Sequence, residues 1–231
     1  MLFFLIAISL ILNGVLSSLI VVGSDCNSEG SGGRGQLTPR GPDFPRNSSA
    51  YNLTIPEDLT LRAVTVGIGT QNYTCSLTSG TPTWKPVGAM AQLRDITDAE
   101  EDPEEIARAA TKKQSRKLLS RYTHIATHYF VPHGASGAGA PAFFFDPRKN
   151  LWPNTGPADN YVIVAKIGLM PAPNHPKRNV PWLALKGVDG NAASLVFRTN
   201  THFGASPPES VCVVEGEEAN MGYSALYWFY H

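Results

Sequence analysis

From Leu59 onward the chain repeats one pattern: a short run of β-branched, aromatic or alternating residues, then glycine, proline or asparagine. The runs are LTLRAVTVG (59–67), TQNYTCSL (70–77), GAMAQLRDI (88–96), HIATHYFV (124–131), AFFFD (142–146), YVIVAKIGL (161–169), VPWLALKGV (180–188), NAASLVFRTNT (191–201), SVCVV (210–214) and MGYSALYWFYH (221–231). Period-two alternation puts one face of each run against a core, and about ten such runs at intervals of ~8–15 residues predict strands layered or closed on each other. The expectation is an all-β fold, a single β-sandwich or barrel of about ten short strands. Gly67-Ile68-Gly69 reads as the turn between the first two runs, and Asp189-Gly190 as a hairpin turn. The composition agrees, since 21 glycines and 18 prolines in 231 residues favour turns, and 42% hydrophobic residues suffice for a core. The last run stays apolar to its end and is expected to be a buried strand.

One stretch breaks the pattern. The acidic DAEEDPEE (98–105) precedes IARAATKKQSRKLLSRY (106–122), so carboxylates come first and cations last, which suits a helix dipole. Pro103 fits the first turn. This predicts one surface helical insertion over about 103–121, with Ile106, Ala110, Leu118 and Tyr122 along one face.

Ahead of the strands lies an uncharged apolar run, Met1–Leu12, then a second, Val15–Val22, then small Gly23 and Ser24. This predicts a secretory signal peptide over 1–24 and, after its cleavage, no membrane segment. Residues 25–58, rich in glycine, proline and serine, predict a flexible leader before the β-rich domain at 59–231. A secreted or cell-wall location gives meaning to three N-x-Ser/Thr sequons, at Asn47, Asn52 and Asn72, as glycosylation acceptors on exposed turns. It also favours pairing among Cys26, Cys75 and Cys212. A Cys75–Cys212 bridge would close a long loop, worth on the order of 4–5 kcal/mol by chain entropy. Cys26 could equally stay free, bridge to another chain or pair with either of the others.

The chemistry-bearing motifs are weak. A formal net charge of zero removes the counterion-release case for nucleic acid. Gly67, Gly69 and Asn72 form G-x-G-x-x-N after a strand, but a dinucleotide fingerprint needs a third small residue and a following helix. NAD-dependent dehydrogenation is therefore not expected, and no cofactor is. His124 and His128 share a strand face, with His133 just beyond Pro132; no Asp, Glu or Cys stands at metal-ligand spacing, so no metal site is assigned. Gly134–Gly139 lacks the G-x-S-x-G elbow around Ser136. Asp95, Asp146, Asp189 and Glu209 have no context that marks a carboxylate pair. Among the tryptophans, Trp84 and Trp182 border strands, whereas Trp152 sits in a loop where a ring can stack on a flat ligand.

Several stretches together, GIGTQNYTC (67–75), THYFVP (127–132), VIVAKIGLMPAP (162–173), VPWLALKGVDG (180–190), LVFRTNTHFGASPPESVC (195–212) and YSALYWFY (223–230), resemble a family of secreted, mostly fungal proteins catalogued as a domain of unknown function. Members often carry the automatic label "malate dehydrogenase". The resemblance implies a signal peptide, a β-rich extracellular domain and a Cys75–Cys212 bridge, and it brings no catalytic residues. The family pattern near Thr201 reads Thr-x-Gly-Gly, where this chain has Thr201-His202-Phe203-Gly204.

Three functions follow as expectations. The first is a secreted or cell-wall protein that binds a glycan or small apolar ligand through Trp152, His128 and His133. The second is a metal-assisted or metabolite-tailoring enzyme using His128 or His133. The third is a structural surface protein.

Overall fold

A computed structural model describes residues 44–45, 53–78, 80–112, 116–135, 139–149, 151–152, 156 and 160–231. The predicted signal peptide at 1–24, most of the predicted leader, Cys26, Asn47, Asn52 and Ser136 lie outside these residues.

Eight antiparallel strands form a closed barrel in chain order. They are β1 (Leu61–Ser76), β2 (Thr83–Asp95), β3 (His124–Pro132), β4 (Gly139–Phe145), β5 (Tyr161–Met170), β6 (Trp182–Asp189), β7 (Leu195–Phe203) and β8 (Glu218–Tyr230). Each pairs with the next, and β8 returns to pair along β1 from Leu61–Tyr230 to Thr74–Glu218, so the sheet has no free edge. The expected all-β architecture is present as a barrel.

Two expected strands are missing for separate reasons. The runs at 59–67 and 70–77 are one strand, β1, and Gly67-Ile68-Gly69 is no turn. These glycines serve close approach. A Cβ on Gly69 would stand 1.8 Å from the Met90 carbonyl oxygen, and one on Gly67 would stand 2.5 Å from the Tyr227 ring. The SVCVV segment at 210–214 is no strand either, because a 3-10 turn (Glu209–Val211) delivers Cys212 to Cys75. β6 and β7 do form a hairpin, but the two-residue Asp189-Gly190 turn is replaced by a longer loop, since the last pair is Lys186–Leu195 and Gly190, at φ 78°, lies in the connection.

The strand period sorts the apolar residues into two layers. On β8, Tyr223, Ala225, Tyr227 and Phe229 face the lumen, where Phe143 and Phe145 of β4 and Val162 and Val164 of β5 meet them. Leu226, Trp228 and Tyr230 face outward into a second core under a helix. That helix, α1 (Pro103–Ala110), is capped by Asp102, whose side chain accepts from the Glu104 amide. The predicted single helix is interrupted: a short second one, α2 (Arg116–Leu119), follows. Ile106, Ala107 and Ala110 of α1 are buried on the barrel wall, and Ser224 Oγ donates to the Ala107 carbonyl at 2.6 Å. Packing also reaches into the predicted leader. Leu53 is fully buried, and Phe44 lies 4.8 Å from the Phe197 ring.

Cys75 and Cys212 are bonded, with Cα atoms 5.3 Å apart. The bridge fixes the β7–β8 connection to the end of β1, where Trp84 Nε1 also donates to the Pro208 carbonyl. Where the family pattern has glycine, Phe203 takes φ 64° and Gly204 follows at φ 84°. This left-handed turn therefore carries a side chain, and Arg178 covers the Phe203 ring at 4.1 Å.

Candidate ligand cavity

The lumen is filled only at one end. Phe143, Phe145 and Phe229 pack edge to face there, with ring centroids 5.0–5.2 Å apart. Towards the other end lies a cavity of about 620 Å³. Its walls are largely apolar and include Phe130, Val164, Leu183 and Leu185.

Strand pairing explains how the cavity reaches solvent. β4 and β5 pair over just three positions, Ala142–Ile163 to Phe144–Tyr161. Beyond them, Gly139, Ala140 and Pro141 on one side and Val164, Ala165 and Lys166 on the other line the cavity instead of each other. Pro141 helps end the seam, since it has no N–H for a ladder. Leu169 and Val188, 44% and 48% exposed, form an apolar rim.

A small polar set stands in this apolar wall. Gln71, Tyr73, His128, Arg198 and Tyr227 all line the cavity. Gln71 donates to the Gly88 carbonyl, and the Tyr73 hydroxyl donates to the Gly204 carbonyl at 2.8 Å. The Tyr223 and Tyr227 hydroxyls share a hydrogen bond of 2.6 Å. Burial pushes the pKa of Tyr73 and Tyr227 up, so both stay neutral.

His128 lines this cavity, 3% exposed, stacked on Phe143 at 4.5 Å. Its Nδ1 lies 2.9 Å from the Ala142 carbonyl oxygen, which can only accept, so Nδ1 carries the proton. Burial lowers the ring pKa to about 4, with the Arg198 charge acting in the same direction. The ring is therefore neutral, and Nε2 is the atom left to meet a ligand. His133 follows β3 at the rim and lines the same cavity. Trp152 lies elsewhere. Its ring meets Phe145 at 4.8 Å, and the Arg62 guanidinium covers it at 5.1 Å. Two of the three sequence candidates thus converge, while Trp152 packs near the filled end. Among the described residues, no three His, Cys, Asp or Glu side chains gather around one point. Asn72 lies mid-strand, paired on both sides, rather than on an exposed turn.

Sequence reasoning missed Arg198, Tyr227, Tyr73 and Gln71. The tyrosines and Gln71 sit in runs that read as ordinary core or strand. Arg198 had a signal, a charge in the middle of the apolar Leu195–Thr199 run.

Residues 56–231 match the family described as "Protein of unknown function (DUF3455)". The chain belongs to this family. The match spans the whole barrel, including the strand that precedes Cys75 and the connection that carries Cys212. No curated protein and no solved structure matches the chain. The family description names no activity, so the cavity has to be read from its own chemistry.

Proposed function

We propose that this is a secreted binding protein that holds a small, largely apolar ligand in its barrel. The cavity carries this reading. Its volume of about 620 Å³ falls within the ~300–1,000 Å³ common for small-molecule sites, and its wall is apolar with a few convergent polar groups. Eight-stranded barrels are wide enough to enclose one small ligand. An apolar ligand suits this wall better than a glycan, which would ask for many more hydrogen-bonding groups and for stacking on Trp152 at the other end. The apolar run at 1–22, the sequons at Asn47 and Asn52 and the disulfide support secretion. His128 and His133 line the cavity too, so an enzymatic use would start from the same residues.

The test is a titration of the purified protein with Nile red. Saturable binding is expected, and Leu183→Trp, which fills the lumen, should weaken it at least roughly tenfold without loss of the folded circular dichroism signal. Absence of saturable binding would overturn the reading. Mass spectrometry of ligand released after incubation separates carriage, which returns it unchanged, from turnover.

A further inference from the structure

We infer that the ligand of the barrel carries one carboxylate and that Arg198 receives it; this rests on the lumen being the ligand site. Arg198 lies in β7 opposite Leu183, is 7% exposed and lines the cavity. Its Nε and Nη2 both donate to the Pro181 carbonyl, at 3.2 and 2.9 Å. That carbonyl orients the guanidinium but carries no charge to balance it. Among the described residues lining the cavity there is no Asp or Glu. The ion pairs among the described residues join Arg108 to Glu105, Arg121 to Glu101, Arg148 to Asp146 and His202 to Glu104, and none involves Arg198. Its titratable neighbours in the lumen, Tyr73, Tyr223, Tyr227 and His128, are held neutral by burial.

A chain of zero formal net charge therefore presents a positive lumen. A buried ion without a partner is costly, and an incoming anion would supply the partner in a low-dielectric enclosure. The planar guanidinium fork matches a carboxylate, and charge-assisted bonds of this kind are about twice as strong as neutral ones. One buried cation suits one negative charge, which favours a carboxylate over a doubly charged phosphate. The apolar walls then take the rest of the molecule, so the ligand class is an amphipathic monocarboxylic acid.

The experiment compares cis-parinaric acid with its methyl ester, two probes with the same apolar body. Wild type should bind the acid roughly 10- to 100-fold more tightly than the ester. Arg198→Gln should collapse that difference, and Arg198→Lys, which keeps the charge, should restore part of it. Equal, saturable binding of acid and ester to wild type would overturn the carboxylate and leave the apolar cavity standing. Binding of neither probe would remove the cavity reading itself. A preference that survives in Arg198→Gln and disappears in Lys166→Gln would overturn the assignment to Arg198. The wild-type comparison needs no variant, so it decides the matter of charge even if a variant fails to fold.

Discussion

His128 shows how burial sets the state of a single ring. In the unfolded chain its imidazole titrates near ~6.5. In the barrel the pKa falls to about 4, because desolvation disfavours the imidazolium more than the Ala142 carbonyl helps it. Between these values the unfolded chain holds more protons than the folded one, so stability rises with pH across the window. Stability is therefore full above about pH 6.5 and drops by on the order of 3 kcal/mol as the pH falls to about 4. Urea unfolding at several pH values checks this. The slope between pH 4 and 6.5 should be smaller in His128→Gln, and identical slopes would show that the ring does not titrate there. Phe203 illustrates a different constraint. It holds a left-handed backbone that usually falls to glycine, a strain on the order of 1–2 kcal/mol offset by its contact with Arg178.

At the scale of elements, β1 is the strand on which the barrel closes, since it pairs with β2 on one side and β8 on the other. Its glycines let neighbours come close. Gly67 leaves room for the Tyr227 ring in the lumen, while Gly69 faces backbone that no rotamer change can move. Gly69→Ala is accordingly expected to cost roughly 3 kcal/mol or more by overpacking. Denaturant midpoints measured beside wild type check it, and a shift under about 0.5 kcal/mol, the range of a neutral surface change, would mean the seam can open. α1 is a further case. Glu104 of its first turn reaches Asn200 and His202 of β7, and its Ile106, Ala107 and Ala110 cover the outer faces of neighbouring strands, so the insertion completes a second core layer. The short β4–β5 seam trades ladder hydrogen bonds for an opening in the wall.

At the scale of the molecule, closure and the disulfide act together. The barrel joins the first strand to the last, with Thr60 and His231 exchanging backbone hydrogen bonds. The bridge links Cys75 and Cys212 across 137 residues of sequence. Chain entropy assigns such a long loop on the order of 4–5 kcal/mol, an upper value for what the bond contributes. The double variant Cys75→Ser/Cys212→Ser is expected to melt well below wild type. Calorimetry of the two measures the difference, and coincident transitions would show that closure alone sets stability.

The strand-period runs and the Gly/Pro punctuation determined the all-β class, the buried final strand, the pairing of the runs on either side of Gly190 and the helix start at Pro103. These rest on local alternation and capping chemistry, which act over a few residues and are written in neighbouring positions. The Thr201–Gly204 departure was visible too, though not that Phe203 would take a left-handed conformation. What alternation cannot carry is which neighbour a residue will meet. Gly67 and Gly69 look like a turn in one dimension and become a close-packed seam once Tyr227 and Met90 arrive from distant strands. His128 and His133 could be named in advance, but Trp152 is placed at the other end of the lumen by the loop that holds it. Barrel closure brings β1, β3, β7 and β8 around one enclosure and sets Arg198 in its wall, with no Asp or Glu among the described lining residues. Which groups meet a buried charge is a three-dimensional property, and here the tertiary structure alone decided that Arg198 meets the Pro181 carbonyl.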